Sequence, residues 1–153
     1  MKKIKTKTKE CTFTTNSKWI SGYRGISHKD LNHNIEVGYS PVLCKEVNGV
    51  WTPEELFIVF IESRIMITFI LLAQRNQIEI LSYQSHTENR MINDNGIPHF
   101  INIYIYPEIT VKKESDVSYL NDILNQAEKL CLSSIAVSIN VEIKPRIIVH
   151  KTK

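Results

Sequence analysis

The chain has 153 residues and a formal net charge of +3. This length fits one domain with a substantial core, so we predict a single domain over residues 1–153. Five lysines fall within the first nine positions, which makes residues 1–10 a basic N-terminal segment rather than a binding face. No recognition motif accompanies this charge, so the sequence does not indicate a nucleic-acid partner.

The cysteines and histidines indicate neither a disulfide framework nor a metal site. Three cysteines, Cys11, Cys44 and Cys131, are an odd number without CxxC spacing. The five histidines are scattered without ligand spacing. We therefore expect reduced thiols, no metal and no cofactor. The N-terminus is charged and has no apolar signal region, so we expect a cytoplasmic protein.

Three segments before the middle of the chain are predicted to be strands. They cover residues 12–15, 18–26 and 35–39, and polar stretches separate them. The last of them ends at Ser40-Pro41, where a turn is expected.

A long apolar helix is predicted to begin in residues 51–56, which read Trp-Thr-Pro-Glu-Glu-Leu. Thr52 and Glu55 have the spacing of a capping box, and Pro53 fits the first helical position. From residue 56 to 73 the main polar interruptions are Glu62, Ser63, Arg64 and Thr68. We therefore predict a central helix that is buried on all sides.

The length of this apolar run also raises a transmembrane alternative. Glu62 and Arg64 would then lie near the centre of the bilayer, where each costs roughly 2.5 to 3.5 kcal/mol on insertion scales. The rest of the chain has the pattern of soluble strands and an amphipathic helix, so we predict no membrane association.

The second half of the chain is predicted to form a hairpin, a helix and a terminal strand. Residues 79–91 and 100–111 flank an Asn-Asp-Asn-Gly turn, and alternation in the second strand favours one packed face. A second helix begins at Ser115 or Asp116 and ends near Cys131. Its apolar face is predicted to comprise Val117, Leu120, Ile123, Leu124, Ala127 and Leu130. Residues 137–149 form a last strand with a bend at Pro145, and the class is α+β.

This order of elements, the helix start at 51–56 and the segment 127–132 (Ala-Glu-Lys-Leu-Cys-Leu) together resemble the OsmC/Ohr family. These are the osmotically inducible and organic hydroperoxide resistance proteins. The resemblance extends from about residue 19 to 149. It implies an OsmC-like intertwined homodimer with a buried central helix, antiparallel strands, a second amphipathic helix, and active sites at the subunit interface.

The resemblance also implies which positions form the site, and at one of them this chain has a different residue from the family. In the family, a cysteine on the central helix attacks the peroxide bond and then forms a disulfide with a second cysteine. Aligned on residues 53–56, the attacking cysteine falls at Arg64 in this chain, whereas Cys131 matches the second cysteine. Glu54 matches the family's orienting glutamate. Arg24 matches its arginine only after a one-residue shift from Trp19, which on a strand would change faces.

An arginine at position 64 cannot replace the thiolate, because guanidinium has no usable lone pair and stays protonated. We therefore expect two-cysteine peroxidase chemistry to be absent. Two hypotheses remain: a divergent family member that binds a small, anionic molecule or a partner protein, and a thiol-dependent hydroperoxide reductase that uses Cys131. Against the second hypothesis, a buried cysteine more often serves as a packing residue. A buried Arg64 must find a partner or water, and a glutamate partner is expected to come from the other subunit.

Overall fold

The computed structural model describes residues 12–29, 33–39, 49–95, 97–135 and 139–150. The chain divides into two compact units, Met1–Pro53 and Glu54–Lys153. The other two cysteines, Cys11 and Cys44, lie outside the described residues.

The N-terminal unit contains a three-stranded antiparallel sheet in the order β1-β2-β3. Its strands are β1 (Asn16–Ser21), β2 (Arg24–His28) and β3 (Asn34–Gly38). The predicted single strand over 18–26 is wrong, since β1 and β2 form a hairpin around Gly22 and Tyr23. Gly22 has a φ of 50°, which a glycine adopts without strain, and its carbonyl oxygen accepts a hydrogen bond from Trp19 Nε1 at 3.0 Å.

The C-terminal unit is built on the long helix and a long hairpin. The helix α1 (Pro53–Arg75) begins where the capping box predicts. The hairpin strands β4 (Ile80–Asp94) and β5 (Ile97–Val111) pair antiparallel along almost their whole length. Asn95 between them has a φ of 52°, a conformation that asparagine tolerates in tight turns.

The remaining elements complete this unit on the other edge of β5. A 3₁₀ turn (Glu114–Asp116) leads into α2 (Val117–Ile135), which is followed by β6 (Asn140–Ile143) and β7 (Arg146–Val149). Both short strands pair with β5 in parallel. The predicted last strand is therefore two strands, and the interruption at residues 144 and 145 includes Pro145, where the bend was expected.

Two buried clusters hold α1 against β5 and α2. The first joins Phe69, Leu72 and Ala73 of α1 to Ile109 and Val111 of β5 and to Leu120, Ile123, Leu124 and Ala127 of α2. The second contains Ile61, Ile65, Ile103, Ile105, Cys131 and Val141. The alternation predicted in β5 is confirmed, because Ile103 and Ile105 are fully buried. The prediction that Leu130 belongs to the apolar face of α2 is wrong, because Leu130 is 48% exposed. The next buried residue of α2 after Ala127 is Cys131, four residues later.

One face of α1 is open in the single chain, so the predicted burial on all sides would require a second subunit. Val59, Phe60, Ile67 and Leu71 are between 40% and 54% exposed. The described elements that pack on α1 cover its other side. We call Val59, Phe60, Ile67 and Leu71 the apolar face of α1.

Candidate functional site

Cys131 lies on α2 in the second buried cluster, where only 1% of its surface is exposed. Its cluster neighbours are aliphatic side chains of α1, β5 and β6. An apolar surrounding disfavours the charged thiolate, so burial raises the pKa of Cys131.

The side chain of Arg64 contacts this thiol. The guanidinium donates a hydrogen bond to Cys131, and both its charge and this bond lower the pKa of the thiol against the larger effect of burial. The net effect leaves the pKa of Cys131 above its ordinary value of 9.0. Burial therefore disfavours the thiolate of Cys131, which is the form that attacks peroxides.

Arg64 is an exposed residue on α1, so it reaches solvent as well as the thiol. This arrangement meets the requirement that a charge on this helix must find a partner or water. The thiol of its own chain is a partner that sequence reasoning did not consider, because it weighed only glutamates against the charge.

The other two predicted site residues are Arg24, in the N-terminal unit, and Glu54, at the start of α1. Arg24 is on β2, and its Nη2 lies 3.5 Å from Glu36 Oε2, with both side chains more than half exposed. Trp19 and Arg24 are on different strands, so the strand-face argument about their spacing does not apply. Glu54 is a half-buried residue of the first turn of α1, where a carboxylate favours the helix dipole. Within the C-terminal unit, Arg64 and Cys131 are the predicted residues that the structure brings into contact.

Sequence analysis missed a set of polar side chains between α1 and β4. The Ser85 hydroxyl donates a short hydrogen bond to Glu62 Oε1. Tyr83 and Thr87 flank Ser85 on the same face of β4, and all three are half-buried, whereas residues 82, 84, 86 and 88 are exposed. The three half-buried residues on this face are all polar, so the hydrophobicity pattern of the sequence does not indicate that the face is half-buried.

The described residues contain no group of three or more histidine, cysteine, aspartate or glutamate side chains placed to hold a metal ion. One described helix, α1, is long and apolar enough to cross a membrane, a property that the core helix of a soluble protein shares.

No family model matches the sequence, and no curated protein matches it. Solved structures do match the fold. An OsmC-like protein of unknown function from Vibrio cholerae O1 biovar eltor is 17% identical with a TM-score of 0.76, over 90% of this chain and 100% of that chain. An OsmC-like protein from Mycoplasma pneumoniae is 12% identical with a TM-score of 0.71, over 92% and 99%.

A third match is the organic hydroperoxide resistance protein OhrB of Bacillus subtilis, which is 17% identical with a TM-score of 0.64, over 88% of this chain and 98% of that chain. These identities are too low to carry an activity from one chain to another. They agree with the α+β class and with the order of helices and strands. The chain has the fold of the OsmC-like and organic hydroperoxide resistance proteins.

Proposed function

We propose that this chain is a divergent OsmC/Ohr-type protein of the peroxide stress response in which Arg64 stands where the attacking cysteine would be. It lacks two-cysteine peroxidase activity and binds a small anionic molecule or a partner protein instead. The observation that carries this proposal is the contact between the Arg64 guanidinium and the Cys131 thiol. The fold of the neighbours supports the family, and their names supply the link to hydroperoxide resistance.

The chemistry of the Arg64–Cys131 pair explains why peroxide reduction is not expected. Peroxide cleavage needs a sulfur lone pair from a thiolate, and the guanidinium has none to offer. Cys131 is buried, and its pKa is raised by that burial. The pair therefore lacks an ionised nucleophile at neutral pH.

The same pair suits an anion. A guanidinium presents several N–H donors in a fixed plane and binds carboxylates through two parallel hydrogen bonds. Arg64 is exposed, so part of its side chain reaches solvent in the single chain. Phe60 and Ile67 lie within one turn of it on α1, so in the homodimer proposed below such a ligand would bind at the subunit interface, with its apolar part beside these side chains.

The proposal includes a cytoplasmic homodimer. The apolar face of α1 would be covered by a second copy, because exposed patches of large apolar side chains on a helix mark association surfaces. The exposed aromatic residues of the N-terminal unit, Phe13, Trp19, Tyr23, Tyr39 and Trp51, support the same conclusion.

Hydroperoxide turnover tests the proposal. The wild-type protein is incubated with cumene hydroperoxide or hydrogen peroxide and dithiothreitol, and the rate of peroxide consumption is compared with that of Cys131→Ser. We expect both proteins to match the protein-free rate. Wild-type turnover that disappears in Cys131→Ser would contradict the proposal.

Anion binding gives the positive test. Hexanoate is titrated by calorimetry into wild type, Arg64→Met and Arg75→Met, where Arg75 is an exposed arginine at the end of the same helix. Saturable binding should be lost in Arg64→Met and kept in Arg75→Met. Equal binding to all three would show that Arg64 does not form the anion site.

A second candidate is a hydroperoxide reductase with one cysteine, and Arg64 itself is the observation that favours it. Its charge and hydrogen bond both lower the pKa of Cys131. In this reaction the thiolate would attack one peroxide oxygen, releasing the alcohol and forming a sulfenic acid. A dithiol would then reduce the sulfenic acid, yielding water, a cyclic disulfide and the regenerated thiol. The turnover experiment separates this candidate from the first.

A further inference from the structure

A cleft of about 350 Å³ lies in the C-terminal unit, between the turn that follows α1 and the first three turns of α2. We call it the α2 cleft. None of its residues belongs to the Arg64–Cys131 pair. It is lined by Asn76, Ile78, Asp116, Tyr119, Asp122, Ile123 and Gln126.

Two isoleucines form the apolar floor of the α2 cleft. Ile78 is 7% exposed and Ile123 is 6% exposed, and both belong to the first buried cluster. The turn that carries Ile78 is held by two backbone hydrogen bonds, from Asn76 N–H to the Leu72 carbonyl at 3.1 Å and from Ile78 N–H to the Ala73 carbonyl at 3.0 Å. The floor is therefore a well-defined edge of the hydrophobic core, on which an aliphatic chain can pack.

An accessible aromatic ring stands beside this floor. Tyr119 is 63% exposed and lies three residues after Asp116 and three residues before Asp122. Residues three apart on a helix are neighbours on its surface, so the ring lies between the two carboxylates. The face of a tyrosine ring attracts ammonium groups as well as hydrocarbon.

The charge of the lining is negative. Asp116 is half-buried and accepts a hydrogen bond from the Ser115 hydroxyl at 3.4 Å, and Asp122 is exposed. Among the described residues, no lysine, arginine or histidine lines the cleft or forms an ion pair with either carboxylate. A cleft lined by charges of one sign concentrates ions of the opposite sign, so the complementary ligand is cationic.

The spacing of the two carboxylates indicates what kind of cation fits. Asp116 and Asp122 are six residues apart, which corresponds to about 9 Å along a helix axis, so one small ion cannot contact both. The isoleucine floor and the Tyr119 ring lie between them. A ligand that meets both carboxylates therefore has a cationic group at each end and an apolar middle.

From these observations we propose that the α2 cleft binds a linear aliphatic diammonium ion, the charge pattern of a short polyamine. One ammonium group donates N–H bonds to Asp116 and the other donates to Asp122, while the methylene chain lies on Ile78 and Ile123 beside the Tyr119 ring. The site uses neither Arg64 nor Cys131. It is therefore independent of the function proposed above, and Arg64→Met should leave its affinity unchanged.

Titration with cadaverine, followed in proton–nitrogen NMR spectra of the full chain, tests the proposal. Low ionic strength is used because salt screens exposed charges. The same chain with one ammonium group, n-pentylamine, and pentanediol with a hydroxyl at each end are titrated alongside. We expect saturable binding of cadaverine, about tenfold weaker binding of n-pentylamine and none of the diol, because each charge-assisted contact is lost in turn. Absence of saturable cadaverine binding, or equal affinity for n-pentylamine, would overturn the proposal.

The same spectra locate the ligand. Asn76 Nδ2 donates to the Leu72 carbonyl at 2.8 Å, which fixes an amide whose signal reports directly on the cleft. We expect the side-chain amides of Asn76 and Gln126 to shift with cadaverine. The side-chain amide of Asn121 should not shift, because it lies two residues from Tyr119, about 200° around the helix. Shifts at Asn121 without shifts at Asn76 and Gln126 would place the ligand elsewhere and overturn the assignment.

Charge substitutions test the two ends separately. Asp116→Asn and Asp122→Asn each remove one charge at nearly constant shape, and asparagine still suits the helix start at position 116. Each should weaken cadaverine binding about threefold or more and reduce its advantage over n-pentylamine. Glu88→Gln is the matched control, because it removes one charge at an exposed carboxylate of β4 near His86. Unchanged affinity in both aspartate variants, or an equal loss in Glu88→Gln, would overturn the site.

Substitutions of Tyr119 test the middle of the ligand without a change of charge. Position 119 is exposed, so Tyr119→Phe and Tyr119→Ser should both fold, which circular dichroism checks. Tyr119→Phe keeps the ring and should bind cadaverine as the wild type does, whereas Tyr119→Ser should bind it about threefold more weakly. Equal affinities of the two variants would contradict the position of the methylene chain beside the ring.

Discussion

The guanidinium of Arg64 on α1 donates a hydrogen bond to the thiol of Cys131 on α2. In the proposed function, this relationship joins the residue at the position of the attacking cysteine to the cysteine that matches the family's second cysteine. Arg64 lowers the pKa of a thiol that burial keeps high. The reactivity of Cys131 is therefore a direct measure of this contact.

Replacing Arg64 by methionine should raise the pKa of Cys131 further, because both effects that lower it are lost. Arg64→Lys retains a charge and should give a smaller change. The measurement is the rate of alkylation by iodoacetamide as a function of pH, followed by mass spectrometry of the peptide that contains Cys131. Arg75→Met, at the far end of the same helix, should leave the midpoint unchanged. An unchanged midpoint in Arg64→Met would mean that the contact does not govern the thiol.

Arg64→Cys should place a second thiol near Cys131 and restore part of the two-cysteine chemistry. A thiolate at 64 would attack peroxide, form a sulfenic acid and condense with Cys131 into a disulfide with release of water. We expect a peroxide-induced disulfide between residues 64 and 131, read by mass spectrometry of unreduced peptides, together with dithiol-dependent turnover.

Ser63→Cys is the matched control for that experiment. It puts a thiol one residue earlier, which on a helix is a rotation of about 100° away from position 64. It should form no disulfide with Cys131. A folded Arg64→Cys protein whose thiols stay reduced under peroxide would show that the pocket differs from a peroxidase site beyond position 64.

Ile67→Asp should convert the expected homodimer into a monomer. Ile67 is 54% exposed in the single chain and lies at the middle of the apolar face of α1. An unpaired carboxylate buried in an apolar interface costs several kcal/mol, enough to raise the dissociation constant about a thousandfold. Sedimentation equilibrium at micromolar concentration should give a dimer for wild type and for Asn121→Asp, an exposed polar position on α2. A wild-type monomer at this concentration would refute the dimer.

Tyr83 should make the protein less stable in alkali. Its pKa is raised above the ordinary value of 10.0, chiefly by burial, so the unfolded chain releases this proton first as the pH rises. The free energy of unfolding is unaffected by this group below about pH 10 and falls above it. The stability of Tyr83→Phe relative to wild type should therefore increase between about pH 8 and about pH 10.5 in urea titrations. Tyr119→Phe, at a tyrosine that is 63% exposed, serves as the control. A constant difference between Tyr83→Phe and wild type would contradict the burial effect.

Local signals in the sequence were sufficient to predict most helices and strands of the C-terminal unit. The capping box at Thr52 and Glu55 placed the start of α1, and alternation around Ile103 and Ile105 placed β5 with its buried face. These features depend on neighbours within a few residues, which a sequence displays directly. The hairpin of β1 and β2 was missed because one turn glycine, Gly22, separates two runs that read as a single strand.

The candidate sites could be predicted only in part. The positions of Arg64 and Cys131 followed from family resemblance, but their mutual contact depends on how α1 packs against α2, which no local pattern encodes. Likewise, Ser85 and Glu62 meet only because β4 lies along α1. Whether tertiary packing gives a polar side chain a hydrogen-bond partner cannot be read from the sequence.

β6 and β7 pair in parallel with β5 and so cover one of its edges. β5 is rich in isoleucine and is bordered by β4 on one side, so its other side depends on residues 140–149. Removal of those residues would leave a long unpaired strand edge with free N–H and C=O groups, the kind of surface that recruits other chains into aggregates. The C-terminal strands thus guard the solubility of the unit, and a truncation there would favour aggregation as well as remove Val141 from the cluster around Cys131.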